Sequence, residues 1–165
     1  MKNKIFLLLI FLWAIPSGFA QLKTYSFEEV EQLSVQNPKS IVVFVHTSWC
    51  KYCKMMENTT FKNPDLISLM NEHFYFILLD AESKNDITFN NHTFKFKPTG
   101  PNTGIHELAI ILSTVEDQVT YPTITIMDRN YSLLFQKQSY LKAKDLISIL
   151  EKIKEFPIFE KNSSN

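Results

Sequence analysis

The sequence predicts an α/β fold in which a mixed sheet is flanked by helices, and three observations carry that prediction. Ile41-Val42-Val43-Phe44-Val45 is a continuous β-branched and aromatic run, the composition of a strand buried on both faces. A second apolar run, Phe74 to Leu79, follows after a stretch of helix formers, so strand, helix, helix, strand reads as a crossover with parallel pairing. Tyr121 to Met127, the turn Asp128-Arg129-Asn130 and a strand from Tyr131 to Gln136 then add an antiparallel hairpin to the same sheet.

The remaining elements follow in chain order. Ser26 with Glu29 makes a capping box, and Phe27, Val30 and Leu33 continue at helical spacing until Asn37-Pro38, giving a helix over about 27–36. After the first strand, Thr47-Ser48-Trp49 is a short polar turn and Cys50 opens a helix. Asn63-Pro64 supplies a cap and a first-turn proline for the next helix, with Leu66, Ile67, Leu69 and Met70 as its apolar stripe. Between Asp80 and Pro122 the pattern departs from the crossover. Ile87 to Phe89 and Thr93 to Phe96 read as a small hairpin about Asn90-Asn91, and Ile105 to Val115 reads as a helix. Phe89, Phe94 and Phe96 form either a satellite core or a partner-binding surface, and the alternation of Phe94 and Phe96 favours the core. Lys144 to Phe156 closes the domain as an amphipathic helix.

Composition bounds what such a fold can do. At 165 residues, with 45% hydrophobic and 21% charged residues, the chain has material for one ordinary domain. Seventeen basic against seventeen acidic groups leave no global positive field, which argues against nucleic acid as a partner. Three glycines leave little for a phosphate-cradling loop. Residues 1–20 carry Lys2 and Lys4, an apolar run from Ile5 to Ile15, and small residues Gly18 and Ala20 at the −3 and −1 positions of a cut, the layout of a secretory signal. The run is shorter than the roughly 20 residues of a spanning helix. The expected organisation is a signal peptide at 1–20, one domain at 21–157 and a flexible tail at 158–165. Cleavage would leave an exported protein, periplasmic or secreted and with no stable membrane insertion, in a compartment where disulfides persist.

The chemistry concentrates at Cys50-Lys51-Tyr52-Cys53. Residues three apart on a helix share a face, so the two thiols are close enough to bridge. At the helix start, Cys50 faces unpaired N–H groups that favour its thiolate, which makes it the nucleophile, while Cys53, one turn in, is the resolving thiol. Lys51 adds a nearby cation. An inert structural disulfide competes weakly, because so small a loop constrains the unfolded chain little. Half a zinc site competes weakly as well: His46, His73, His92 and His106 form no ligand-like pair. His46 either tunes Cys50 or makes an ordinary strand-end hydrogen bond, the second being favoured, and His106-Glu107 reads as a surface pair. No metal or organic cofactor is implied.

A buried strand, then Trp49-Cys50-x-x-Cys53 at a helix start, then Tyr121-Pro122-Thr123 opening a strand, resembles the thioredoxin fold over about Ile41 to Phe156. More narrowly, Cys50 to Cys53 with Glu57, Thr60-Phe61 and Asn63-Pro64-Asp65 is similar to the periplasmic C-terminal domain of the thiol:disulfide interchange protein DsbD and to related exported thioredoxin-like proteins. The resemblance implies thiol:disulfide exchange with disulfide-containing exported proteins, as a reductase supplied by a membrane thiol electron donor. A peptide-binding module, or an oxidase or isomerase on the same site, is the alternative. It further implies catalytic roles for Cys50, Cys53 and Glu57, and a substrate surface of Trp49, Lys51, Tyr52, Tyr121 and a cis Pro122. Glu57 shares a helical face with both cysteines, as i+7 and i+4, and either accepts the Cys53 proton or pairs with Lys54. Thioredoxins usually carry a buried aspartate six residues before the first cysteine, and here that residue is Phe44.

Overall fold

The computed structural model of the chain describes residues 21–155; the signal read over 1–20 and the tail read over 158–165 lie outside the described residues. Helix α1 (Phe27–Ser34) begins at the predicted capping box, Ser26 Oγ accepting the Glu29 N–H at 3.1 Å and Glu29 Oε2 accepting the Ser26 N–H at 2.7 Å. Strand β1 (Ser40–His46) is followed by α2 (Lys51–Asn58), a 3-10 turn at Thr60–Lys62, α3 (Pro64–His73) and β2 (Phe74–Asp80). Asn63 caps α3, its Oδ1 accepting the Leu66 N–H at 3.0 Å. The expected crossover is present: β1 and β2 pair in parallel, with Val43 opposite Ile77 and His46 opposite Asp80.

The insertion holds three small hairpins. Strands β3 (Ile87–Phe89) and β4 (His92–Phe94) turn through Asn90 and Asn91, both with positive φ, which asparagine tolerates better than most residues. Strands β5 (Phe96–Pro98) and β6 (Gly104–His106) form the second, so Phe96 belongs to a hairpin of its own rather than to the one with Ile87. A Cβ on Gly104 would lie 2.4 Å from the Lys97 carbonyl oxygen and 2.3 Å from Phe96 Cζ, so the close approach of the two strands requires glycine there. Helix α4 (Glu107–Ser113) and the pair β7 (Thr114–Val115) and β8 (Gln118–Val119) complete the insertion. The expected helix over 105–115 is thus trimmed at both ends. Its buried residues are Leu108, Ala109, Leu112 and Ser113, while Ile111 is 59% exposed. Glu116 and Asp117, both at positive φ, turn the chain just past the end of the helical reading and pair Val115 with Gln118. His106 is also corrected: it is fully buried, its Nδ1 accepting the Leu108 N–H at 3.2 Å as the cap of α4 and its amide donating to the Ala81 carbonyl at 2.8 Å.

Strand β9 (Thr123–Met127) runs antiparallel to β1, and β10 (Leu133–Lys137) antiparallel to β9, giving the sheet order β10-β9-β1-β2. β10 starts two residues later than the sequence suggested because Asp128 Oδ1 accepts from Asn130 and Ser132, each at 2.8 Å, and lengthens the turn. Helix α5 (Ala143–Glu155) buries Leu146 and Leu150. Alternation along β1 splits the core in two: Val42 and Phe44 point to the side of α2, α3 and α5, and Ile41, Val43 and Val45 to the side of α1, the insertion and α4. Among the described residues no helix is long and apolar enough to cross a membrane.

Candidate active site

Five fully buried residues from Ile41 to Val45 anchor β1 in the middle of the sheet, and the chain leaves that rigid strand directly into the turn that delivers Cys50. Cys50 is the N-cap of α2, with extended backbone (φ −73°, ψ 106°), and its Sγ accepts the Cys53 N–H at 3.1 Å. That is one of the N–H groups a helix start leaves without an intrahelical partner. Cys50 and Cys53 are joined by a disulfide, S–S 2.09 Å and Cα to Cα 5.2 Å. Both cysteines are buried, but Cys50 keeps 6% exposure and Cys53 none, so of the two residues only Cys50 touches solvent. In the reduced state the donors that now face the Cys50 sulfur would stabilise its thiolate, an effect that can bring a thiol from about 8.5 into the range of about 3.5–7.5. A bonded Cys-x-x-Cys pair with one solvent-touching cysteine at a helix start is built for thiol:disulfide chemistry.

The surface around that sulfur is aromatic. Trp49 is 64% exposed, Tyr52 60% and Met55 43%, with Lys51 exposed beside them. The Trp49 Nε1–H donates to Glu82 Oε1 at 3.1 Å, and the indole meets the Tyr121 ring edge to face with centroids 6.1 Å apart. Glu82 was not readable as a site residue: it lies 33 residues from Trp49, and no local pattern announces the contact. Tyr121 packs against the cluster containing both cysteines, and the Tyr121–Pro122 peptide bond is cis. The Tyr121 hydroxyl is buried without a protein partner; burial first, then the Glu82 and Asp80 carboxylates, push its pKa up to about 12.

Glu57 lies one turn beyond Cys53 on α2. Its Oε2 pairs with Lys54 Nζ at 2.9 Å, the i, i+3 pairing that the sequence offered as the alternative to a proton-accepting role. Its other oxygen faces His46 Nδ1 at 3.8 Å. Burial lowers the His46 pKa below the usual histidine value and Lys54 adds to the effect, with the Asp80 and Glu57 carboxylates and the Thr47 backbone opposing it. The sequence favours an ordinary strand-end role for His46 over one at the cysteines, yet strand alternation carries a further signal: as i+2 from Phe44 it shares the face that packs on α2. Phe44 is fully buried and stacks on the His46 imidazole, centroids 5.6 Å apart and 10° between planes. Among the described residues no three His, Cys, Asp or Glu side chains gather as a metal site.

Residues 27–154 match the model of a thioredoxin-like domain family. No curated protein matches the chain. Among solved structures, a DsbH oxidoreductase is similar at 19% identity over 86% of this chain and 90% of that one, TM-score 0.60. A thioredoxin-fold protein from Helicobacter pylori is similar at 20% identity over 84% and 77%, TM-score 0.57, and a thioredoxin from Thermus thermophilus at 15% over 81% and 87%, TM-score 0.57. At these identities the likeness establishes the fold. It is spread over several such proteins and does not single out DsbD, as the motif alone had suggested.

Proposed function

The chain belongs to the thioredoxin-like domain family, and on that premise we propose that it is a thiol:disulfide oxidoreductase that reduces disulfides in other exported proteins. The observation that carries the reading is the asymmetric Cys50–Cys53 disulfide: Cys50 keeps some solvent exposure and its sulfur accepts a helix-start N–H, while Cys53 is fully buried. In the reduced protein the Cys50 thiolate attacks a partner disulfide; a Cys50–partner S–S bond forms and the partner's other sulfur leaves as a thiolate. Cys53 then loses its proton, its thiolate attacks Cys50 Sγ, and the second partner sulfur departs. The partner gains two electrons and the Cys50–Cys53 disulfide returns. In this reading Glu57, four residues beyond Cys53 on α2, accepts the Cys53 proton.

Trp49, Lys51 and Tyr52 are the contact surface, with the backbone at Tyr121-Pro122 taking the partner segment as an added strand. Export is supported by the secretory layout of residues 1–20, and a reductase in such a compartment needs an electron donor, for which a membrane thiol relay is the fitting class. The motif likeness to the DsbD C-terminal domain supports the reductive direction. The test is the equilibrium reduction potential of the Cys50/Cys53 pair against dithiothreitol or glutathione. A value near about −270 mV, as for thioredoxin, is expected, whereas one between about −120 and −180 mV would make the protein an oxidase or isomerase.

A further inference from the structure

Two buried polar atoms, one at the end of β1 and one on α2, stand unpaired. His46 Nδ1 and Glu57 Oε1 are both shielded from solvent, neither has a hydrogen-bond partner in the protein, and they face each other at 3.8 Å. Unmade hydrogen bonds at buried groups are costly and are rarely left in a fold without a reason. Glu57 Oε2 is already held by Lys54 at 2.9 Å, which leaves Oε1 facing the imidazole. Burial lowers the His46 pKa below the usual histidine value. A proton held between Nδ1 and Oε1 would give both atoms the hydrogen bond they lack.

The geometry connects this pair to Cys53. Glu57 is four residues beyond Cys53 on α2, so the two side chains share a helical face. His46 reaches the same place from β1, held flat against Phe44, which packs in the cluster that contains both cysteines. The charged groups acting on His46 are Lys54 and Glu57 from α2 and Asp80 from β2, its register partner.

We propose that His46 and Glu57 together hold the proton that leaves Cys53 during resolution, with His46 a positioning residue that acts through Glu57. This rests on the exchange reading above and extends it to a residue outside the cysteine helix. In the step, the Cys53 S–H bond breaks and its proton passes to the Glu57 carboxylate, whose protonated oxygen bonds to His46 Nδ1 across the former gap. The Cys53 sulfur bonds to Cys50 Sγ, the Cys50–partner bond breaks, and the partner leaves with the electron pair as a thiolate. The shared proton is later lost to solvent. A histidine and a glutamate thereby perform the task for which Phe44 leaves no carboxylate on β1.

The experiment loads Cys50 of the reduced protein with glutathione from glutathione disulfide under acid conditions, then jumps the pH and follows glutathione release. In His46→Gln, release at pH 7 is expected to slow by about 10-fold or more, within the range of general-base effects, while Cys50 loading stays within about twofold. Wild-type release falls as pH drops through the His46 titration, because a protonated imidazole can take no proton, and H46Q lacks that step. Glu57→Gln should slow release at least as much, and the double variant no further than E57Q. Release from H46Q at the wild-type rate with the wild-type pH profile, or losses that multiply in the double variant, would overturn the inference while leaving exchange intact. Failure of the wild type to load at Cys50 would overturn both. A second readout does not require H46Q to fold: the His46 imidazole, titrated by NMR in E57Q, should have a lower pKa than in wild type, since a carboxylate that raises it is gone. An unchanged His46 titration in E57Q contradicts the coupling.

Discussion

On one side of β1, Val42 and Phe44 enclose the disulfide with helices α2, α3 and α5; on the other, Ile41, Val43 and Val45 meet α1 and the insertion through Phe27, Phe89 and Leu108. Both sides are apolar and aromatic, but only on the first do an unpaired imidazole nitrogen and a carboxylate oxygen face each other, at His46 and Glu57. On the second side the buried His106 uses Nδ1 to cap α4, and its Nε2 is buried without a protein partner. The difference teaches that burial alone does not make a histidine chemical: what distinguishes His46 is that it faces a titratable partner one helical turn from a thiol.

Substitutions on the two sides should separate stability from exchange. Phe44→Ala removes a fully buried ring that touches Phe61 and His46, and should cost about 3–5 kcal/mol and impair resolution of mixed disulfides as well. Phe89→Ala, on the insertion, loses contacts to Phe27 and Tyr131 and should cost about 3 kcal/mol while the reduced fraction that folds exchanges at the wild-type rate. Urea unfolding with a parallel glutathione-release assay reads both, and equal losses of exchange would erase the distinction.

Acidification sharpens the same contrast. Because the folded protein holds His46 below the usual histidine pKa, the unfolded chain binds that proton first, so stability falls as pH drops below about 6.5 and the loss ends once the folded His46 is itself protonated. Urea midpoints between pH 8 and 5 should show this decline in wild type and a shallower one in H46Q. A smaller effect is expected at Asn63, where Asn63→Ala removes the side-chain cap of α3 and should cost about 1 kcal/mol. The smallest is Tyr121→Phe: the hydroxyl it removes is buried without a protein partner, so stability should change by less than about 0.5 kcal/mol or rise slightly.

Much of the architecture was legible because it rests on signals local to each segment. The Ile41–Val45 run, the Ser26/Glu29 box and the Asn63-Pro64 cap each specify an element without reference to the rest of the chain, and all three stand where they were read. The insertion was misread where apolar spacing imitated a longer helix: Val115 fits the stripe of Leu108 and Leu112, yet the left-handed pair Glu116-Asp117 turns it into a strand. At the site, the cysteine pair follows from spacing and Trp49 from the resemblance its motif carries. Glu82 and the His46–Glu57 contact depend on the turn after β2 and on the packing of β1 against α2, pairings between distant segments that only the folded chain brings together.

The central claim is the division of labour between an accessible nucleophile at Cys50 and a buried resolving thiol at Cys53. The most direct measurement incubates reduced Cys53→Ser and Cys50→Ser variants with a disulfide-bonded exported protein and identifies covalent adducts by mass spectrometry. The account predicts that C53S accumulates a mixed disulfide through Cys50 while C50S forms none at a comparable rate. Adducts forming equally through Cys53 in C50S, or no adduct in C53S, would contradict it.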